Sequence, residues 1–564
     1  MIKNILRKNY RSLPFLLPLL IILLAYVVYP NLQMAIQSFQ RESGYSINNY
    51  TLFFSPSNPA NLEALWGSVY LSLLSVLFSA IIGVPLAYLF TFYDFPGKKI
   101  LESLAILPIV MPPLIGVLAF FFLVGESGIL PRFLQALFGL QEVPFSIKGF
   151  SAIVIVHAYS FYVYFYLFTA NALKSIDASI LEASKNLGAS RLATLTKVLL
   201  PMLTPALGGA SLLVFMSSMA SFSAPFIFGG KTRILSLEIY NTKLNGNLGL
   251  AITQSVILAG ISIGFLILLR YFSDKRQYAG GGKGVRIQPK AIKNRQTTII
   301  VGAIGALLVG ALALPHLVII LISFVKNGTW TWQILPPSYT LKNYINLFQD
   351  PRVFQPIANS LKMAFLATVA NIIFGVAAAY MLVRLKPSGG KIIEALVMLP
   401  WAIPGTVLAI ALIVTFNRPT IVSGGQILTG TFWILPLAYF IRNIPLVFRS
   451  TYAAFEQFDP SLEESARNLG AGAWLAFRRV IFPQIAPGIL SGSLLAFVLA
   501  LGEFVSSILL YNFSNKPISV EVVSQLRVFN LGSAAAYSVF LILLIAMTTA
   551  LSNTLKSNSG KAVI

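Results

Sequence analysis

Long apolar stretches alternate with short polar loops along the whole chain. A helix of about 20 apolar residues crosses the roughly 30 Å hydrocarbon core of a membrane. Twelve stretches are long enough, and they lie near residues 13–39, 65–90, 102–124, 149–170, 201–228, 248–270, 298–325, 357–383, 393–416, 430–450, 483–511 and 532–553. The pattern predicts an all-α polytopic membrane protein with 12 transmembrane helices.

The composition agrees with this prediction. Of the 564 residues, 56% are hydrophobic and 10% are charged, whereas soluble proteins carry about 25% charged residues. Cysteine is absent, and His157 and His316 are the two histidines. A disulfide framework, a thiol metal site and a site built from histidines are therefore excluded. The first apolar run is too long for a signal peptide and no clear small-residue cleavage site follows it.

The charged residues indicate an orientation. The chain carries 41 Lys and Arg against 18 Asp and Glu, a net charge of +23. If the N-terminus is cytoplasmic, most basic residues fall in cytoplasmic loops, as the positive-inside rule requires. Both termini are then cytoplasmic, and the net charge reflects topology and contact with anionic membrane lipid, not nucleic acid. We expect a multi-pass protein of the inner (plasma) membrane.

The chain contains an internal repeat. Residues 176–207 and 458–489 share ten identities at a constant offset of 282, among them Asp177 with Asp459 and Gly188 with Gly470. Earlier spans match at offset 292, as in Ser68 with Ser360 and Gly83 with Gly375. Each half has six spans, so the halves share one topology and should be related by a pseudo-twofold axis along the membrane normal.

Six segments follow from the spans and the repeat. They are an N-terminal segment with the first span and its loop (1–64), a first core (65–270), a basic glycine-containing linker (271–297), the seventh span and its loop (298–354), a second core (355–552) and a cytoplasmic tail (553–564). The amphipathic piece within 125–149 should lie on the outer membrane surface.

The repeated polar stretch predicts a short helix in one cytoplasmic loop of each half. Ser179 with Glu182, and Ser461 with Glu464, have the spacing of a capping box. A left-handed glycine should then end each helix. One face of each helix is small and apolar, suited to another protein's groove, and consists of Ile180, Ala183, Ser184 and Leu187 in the first copy and Leu462, Ser465, Ala466 and Leu469 in the second.

These residues resemble the "EAA" signature of permease subunits of ABC importers. The pattern is Glu-Ala-Ala, three residues, Gly and a later Pro, here Glu182-Ala183-Ser184 with Gly188 and Pro201, and Glu464-Ser465-Ala466 with Gly470 and Pro483. The resemblance implies the type I ABC importer permease fold, with a coupling helix that sits in a cleft of an ATPase subunit. The implied ATPase-coupling residues are Asp177, Glu182, Ala183, Gly188, Asp459, Glu464, Ser465 and Gly470.

The chain lacks a phosphate-binding loop of the form G-x-x-x-x-G-K-[ST]. We therefore expect no catalytic residue and no cofactor bound by this chain. ATP and Mg should be bound by two copies of a separate cytoplasmic ABC ATPase, one for each coupling helix.

Two permease cores in one chain look like the ferric-iron importer permeases. The segments GESGILPRF (125–133) and LGEF (501–504) are most similar to that branch. The resemblance implies an external substrate-binding protein, periplasmic or lipid-anchored, that delivers ferric iron. Permeases for thiamine, phosphonate, polyamine and sulfate or molybdate are close relatives, so these substrates stay open.

Five residues are candidates for the translocation pathway. Glu503 is the one acidic residue well inside an apolar span, where a charge costs about 2.5–3.5 kcal/mol and usually faces a cavity or a partner. Ferric iron prefers oxygen ligands, so Glu503 could be a transient metal ligand. Its repeat partner is Ser221, and Tyr159, Tyr162 and His157 offer further polar atoms. Helix packing is the alternative for each.

Glu238 and Glu521 occupy equivalent external positions and could receive basic residues of the binding protein. Ordinary solvated loop charge is the alternative. A secondary transporter with two six-span halves is the alternative class, but it would need more intramembrane acids. A membrane-embedded enzyme would need clustered acids or histidines.

Overall fold

The computed structural model describes residues 13–41, 44–275, 289–291, 294–330 and 333–561, and most of them are helical. The first half contains α1 (Leu13–Leu23), α2 (Tyr29–Gln37), α3 (Asn48–Phe53), α4 (Ala60–Phe92), α5 (Lys98–Ala105), α6 (Pro113–Val124), α7 (Ile129–Leu137), α8 (Gly149–Ser175), α9 (Ala178–Asn186), α10 (Arg191–Ala193), α11 (Leu200–Met219), α12 (Ser223–Phe228), α13 (Leu235–Leu244) and α14 (Leu248–Lys275). The second half contains α15 (Arg295–Ser323), α16 (Lys342–Gln349), α17 (Pro351–Tyr380), α18 (Gly390–Ala402), α19 (Gly405–Phe416), α20 (Ile434–Gln457), α21 (Pro460–Asn468), α22 (Ala473–Ala476), α23 (Phe482–Leu501), α24 (Val505–Leu510), α25 (Ile518–Arg527) and α26 (Leu531–Lys561).

Shorter elements join these helices. The π-helical turns are Leu24–Val28, Thr194–Leu199, Met381–Leu385 and Phe477–Ile481, and the 3-10 turns are Leu107–Val110 and Ile421–Ser423. Strands β1 (Gln40–Arg41) and β2 (Gly44–Tyr45) pair antiparallel, and β3 (Tyr93–Asp94) and β4 (Lys290–Ala291) pair parallel. The predicted linker at 271–297 lies partly outside the described residues, and the predicted tail is helical as far as Lys561.

Ten helices in the described ranges are long and apolar enough to cross a membrane. The pair α18 and α19, bent by 105° at the break before Pro404, is an eleventh candidate. The tenth predicted span coincides with α20, which carries Arg442 and Arg449 and does not pass the same test. The predicted count of twelve is therefore approximate. The third predicted span is a broken one, because the helix stops before Pro108 and restarts at Pro113.

The chain packs as two compact units that exchange their first spans. One unit consists of Tyr50–Asn247 and Ile257–Thr340, and the other of Met1–Asn49, Leu248–Val256 and Leu341–Ile564. The first span thus belongs with the second core and the seventh span with the first core. A division of the chain into consecutive segments does not predict this exchange.

In the unit of the first core, α4 packs along α8 at a close crossing. A Cβ at Gly83 would lie 2.4 Å from the Tyr162 carbonyl oxygen and 2.7 Å from the Phe165 Cβ, so only glycine fits. The backbone N–H of Leu235, at the start of α13, donates to the Ser68 Oγ at 2.8 Å. The seventh span, α15, contacts α5 and α6.

In the unit of the second core, the equivalent contacts recur. A Cβ at Gly375 on α17 would lie 3.0 Å from the Phe448 backbone nitrogen on α20. The Ile518 N–H, at the start of α25, donates to the Ser360 Oγ at 2.8 Å. The repeat seen in the sequence is thus also a repeat of helix crossings and hydrogen bonds. The first span joins this unit, where the Tyr26 hydroxyl donates to the Val422 carbonyl oxygen at 2.8 Å.

Candidate functional sites

The repeated polar stretch folds as α9 in one unit and α21 in the other. Asp177 caps α9 by accepting from the Ser179 N–H at 3.0 Å, and Asp459 caps α21 by accepting from the Ser461 N–H at 2.9 Å. The predicted Ser-Glu capping box is therefore wrong, because each helix starts earlier, at an aspartate. The hydrogen bonds from Ser461 lower the pKa of the Asp459 carboxyl below its usual range.

Both helices end in the same left-handed turn, as predicted. Gly188 has φ +77° and Gly470 has φ +88°. The Gly188 and Ala189 N–H groups donate to the carbonyl oxygens of Lys185 and Ser184, at 3.0 and 3.1 Å. This pair of hydrogen bonds is the Schellman motif, and the equivalent pair of hydrogen bonds is present after α21. A residue with a side chain would be strained at either glycine.

The exposed surfaces of α9 and α21 carry matching apolar side chains. Leu187 is 87% exposed and Leu469 is 90% exposed, and Ile180 and Leu462 are also exposed. Around them lie further exposed residues of the predicted coupling set, namely Glu182, Ala183, Glu464 and Ser465. Large apolar side chains exposed at equivalent places of a repeat indicate a surface for a partner.

The predicted apolar face of α9 is divided between this surface and the helix's own unit. Ser184 is buried, and its Oγ lies 3.0 Å from the Thr194 Oγ1. Thr194 begins a π-helical turn, and the Leu200 N–H reaches back five residues to the Leu195 carbonyl oxygen. Pro201, which supplies no N–H, follows directly. The second half repeats the π-helical turn at Phe477–Ile481. Such turns often mark functional sites within helices.

Glu503 lies at the break between α23 and α24 and is already paired. Its Oε2 is 2.9 Å from the Arg442 Nε, and its Oε1 accepts from the Ser506 N–H and Oγ at 3.0 and 2.8 Å. The Glu503 side chain is 10% exposed and that of Arg442 is 32% exposed. Sequence reasoning missed this ion pair. The sequence does contain a signal for it, because Arg442 lies inside the tenth apolar run and could compensate the charge of Glu503 inside the eleventh.

The equivalent position in the first half holds a cluster of one histidine and three serines. The His157 Nε2 lies 2.8 Å from the Ser221 Oγ, and its Nδ1 lies 2.9 Å from the Ser75 Oγ and 3.1 Å from the Ser218 Oγ. Both ring nitrogens thus have protein partners. At offset 282 Ser221 corresponds to Glu503. Equivalent helices are therefore joined by a hydrogen-bonded His157–Ser221 pair in the first core and by the Arg442–Glu503 ion pair in the second.

The predicted tyrosines are buried and hydrogen-bonded. The Tyr162 hydroxyl donates to the Ala105 carbonyl oxygen at 2.6 Å, and the Tyr159 hydroxyl lies 3.1 Å from the His316 Nδ1. Both side chains are less than 5% exposed. Among the described residues no group of three or more His, Cys, Asp or Glu side chains could hold a metal ion.

The two predicted docking acids differ in their surroundings. Glu521 is 6% exposed and is bound to Lys516 and, at 2.6 Å, to the Gln525 Nε2. A docking role for Glu521 does not fit these contacts, because its carboxylate is enclosed and paired. Glu238 lies 3.7 Å from Arg233, and burial raises the pKa of its carboxyl while Arg233 opposes that shift.

Comparison with known proteins identifies a family. Residues 75–278 and 371–560 each match the binding-protein-dependent transport system inner membrane component family. A probable ABC transporter permease protein of Sinorhizobium fredii is 30% identical over 86% of this chain and 86% of its own length. The ferric transport system permease protein of Actinobacillus pleuropneumoniae is 26% identical over 93% of this chain and 76% of its own. A sulfate transport system permease protein of Escherichia coli is 28% identical over 39% of this chain and 83% of its own.

Proposed function

Because the chain belongs to the family of inner-membrane components of binding-protein-dependent transport systems, we propose that it serves an ATP-driven importer, and its similarity to a ferric transport permease favours ferric iron as the substrate. It is a multi-pass inner-membrane permease subunit of an ABC importer and carries two family domains in one chain. Family membership excludes the secondary-transporter alternative.

The observation that supports coupling to ATP is the pair of matching surfaces on α9 and α21. Each of the two loop helices carries the exposed glutamate of the EAA-like signature and ends in an exposed leucine, Leu187 or Leu469. Two equivalent surfaces suit two copies of one partner. We assign them to two cytoplasmic ABC ATPase subunits, which bind ATP and Mg while this chain binds no cofactor.

We infer the orientation from the distribution of basic residues. With both termini in the cytoplasm, the α9 and α21 loops are cytoplasmic as well, where ATP is available. The opposite face then receives the external binding protein. Arg233 contacts both Glu63 at 3.2 Å and Glu238 at 3.7 Å, so Glu238 belongs to a small charged cluster on that face.

Ferric iron is favoured as the substrate by the extent of similarity. The relative named for ferric transport matches over nearly the whole chain, whereas the relative named for sulfate transport matches over less than half. Two permease cores fused in one chain are also the organisation of the ferric-iron importer permeases that the sequence resembles. Sulfate or molybdate, thiamine, phosphonate and polyamine are the competing substrates.

Contact between iron and Glu503 stays a prediction. A carboxylate held by Arg442 is not an open ligand, and an ion has to displace the guanidinium before it can bind there. The same pair serves equally as a structural link between α20 and the break before α24.

Transport by the reconstituted importer tests the proposal. Proteoliposomes containing this chain and its ATPase are supplied with the loaded binding protein and with ATP inside. We expect uptake of ferric iron, no uptake without ATP, and no competition from sulfate, thiamine or a polyamine. Uptake of one of these competitors instead of iron would refute ferric iron as the substrate, but it would not contradict the assignment as an ABC importer subunit.

A further inference from the structure

We propose that the two loop helices are fastened to their units by different chemistry, apolar for α9 and ionic for α21, and that Arg384 is the positioning residue for α21. The inference rests on the proposed function only where it gives α21 a part in coupling. The attachment itself follows from contacts inside each unit.

The attachment of α21 is built from charges. The Glu463 Oε2 lies 3.1 Å from the Arg384 Nη2, and its Oε1 lies 2.7 Å from the Arg467 Nη2 one turn later. The guanidinium of Arg384 also lies over the Phe458 ring, 4.8 Å from its centroid. Arg384 lies in the π-helical turn after α17, so its side chain links both α21 and Phe458, just before the N-cap of α21, to the end of that span.

Besides the Ser184–Thr194 hydrogen bond, α9 is attached to its unit by an apolar cluster. Leu173, Ile176, Leu199 and Leu203 form a buried cluster, and Phe92 and Leu181 pack against it. Phe92 is the last residue of α4, and Leu181 lies in the first turns of α9. The end of the second span is thus joined to the loop helix here too, without an ion pair in that cluster.

The residues of the two attachments correspond one to one through the repeat. Leu181 corresponds to Glu463 and Ile176 to Phe458 at offset 282, and Phe92 corresponds to Arg384 at offset 292, the offsets of the surrounding identities. Where the first unit has two apolar residues packed against one cluster, the second unit has the two members of an ion pair. A charged residue at only one of these positions would lack its partner, so the matched difference supports a contact that holds the helix in each unit.

The pair is sheltered enough to matter. The side chains of Arg384 and Glu463 are each 18% exposed. Solvent screens exposed ion pairs until they contribute little, and the Arg467 side chain that also contacts Glu463 is 57% exposed. The sheltered contact with Arg384 should therefore contribute most of the ionic attachment. Loss of Arg384 should therefore loosen α21 while α9, held by apolar contacts, stays fixed.

Spin labels test the attachment without any transport assay. Because the chain has no cysteine, a nitroxide can be placed at the exposed end of either helix with Asn468→Cys or Asn186→Cys. In the purified full chain, Arg384→Gln should raise the mobility of the label at 468 and leave that at 186 unchanged. The graft Arg384→Phe with Glu463→Leu should restore the original mobility. No change at 468, or an equal change at 186, would overturn the proposal.

The reciprocal exchange is the matched control. Phe92→Arg alone should loosen the label at 186, and Phe92→Arg with Leu181→Glu should fix it again. Failure of either exchange to restore its own helix would contradict the correspondence of the two attachments.

Transport then separates this inference from the proposed function. In the assembled importer, Arg384→Gln should lower the amount of substrate carried per ATP hydrolysed, and the graft should recover it. If the label at 468 becomes mobile and the ratio stays unchanged, the attachment stands but α21 has no role in coupling. If the label does not respond, the attachment is refuted whatever the transport result.

Discussion

Replacement of the exposed leucines of α9 and α21 by alanine should weaken binding of the ATPase subunit without destabilising the fold. Leu187 and Leu469 are 87% and 90% exposed, so Leu→Ala at either position takes almost no packing from the chain itself. Complete burial of a leucine side chain contributes about 1.5–3 kcal/mol. Taking about 2 kcal/mol for each leucine that a partner buries, each substitution should lower affinity about 30-fold.

The assay is titration of the purified chain in lipid nanodiscs with the labelled ATPase, alongside the thermal unfolding midpoint. Leu187→Ala and Leu469→Ala should each weaken binding, and the double variant should weaken it further, while the midpoint stays constant. Leu137→Ala, at a leucine that is 60% exposed on α7, is the control and should change neither. Unchanged affinity in the double variant would refute the assignment of these surfaces to the ATPase.

Three further predictions concern other parts of the structure. Glu503→Gln should lower iron uptake because it leaves the Arg442 guanidinium unpaired. If the ion pair is structural, Glu503→Gln with Arg442→Gln should recover uptake. If uptake stays low in the double variant while ATPase activity is intact, Glu503 has a ligand role. Gly83→Ala should lower the thermal midpoint by overpacking that costs about 1–3 kcal/mol, because its Cβ would meet the Tyr162 carbonyl oxygen at 2.4 Å, and an unchanged midpoint would contradict the close crossing. Asp459→Ala should destabilise the first turn of α21 by removing its N-cap, seen as faster amide exchange there, and unchanged exchange would mean that the cap contributes nothing.

Local patterns in the sequence predicted the repeated elements well. The apolar runs anticipated most membrane helices, and Gly188 and Gly470 anticipated the left-handed ends of the loop helices, because a chain reversal there needs positive φ. The helix starts were less well predicted. Asp177 and Ser179 are both good N-terminal residues, and only the geometry shows which one accepts the first free N–H.

Contacts between distant segments were beyond sequence reasoning. Arg442 and Glu503 are 61 positions apart, and periodicity alone does not bring their spans together. The exchange of the first and seventh spans between units has no local signal, since each span is simply apolar. The enclosure of Glu521 by Lys516 and Gln525 depends on how a loop folds back, so a residue that reads as solvated charge is buried.

Site-directed cross-linking from α9 and α21 tests the central claim most directly. In this naturally cysteine-free chain, Leu187→Cys or Leu469→Cys carries a photoactivatable maleimide, with Leu137→Cys as the control. We predict that each of the first two positions forms an adduct with the ATPase subunit in membranes, and that the control forms none. Absence of the ATPase adduct from both loop positions, in membranes that contain the assembled importer, would contradict the account.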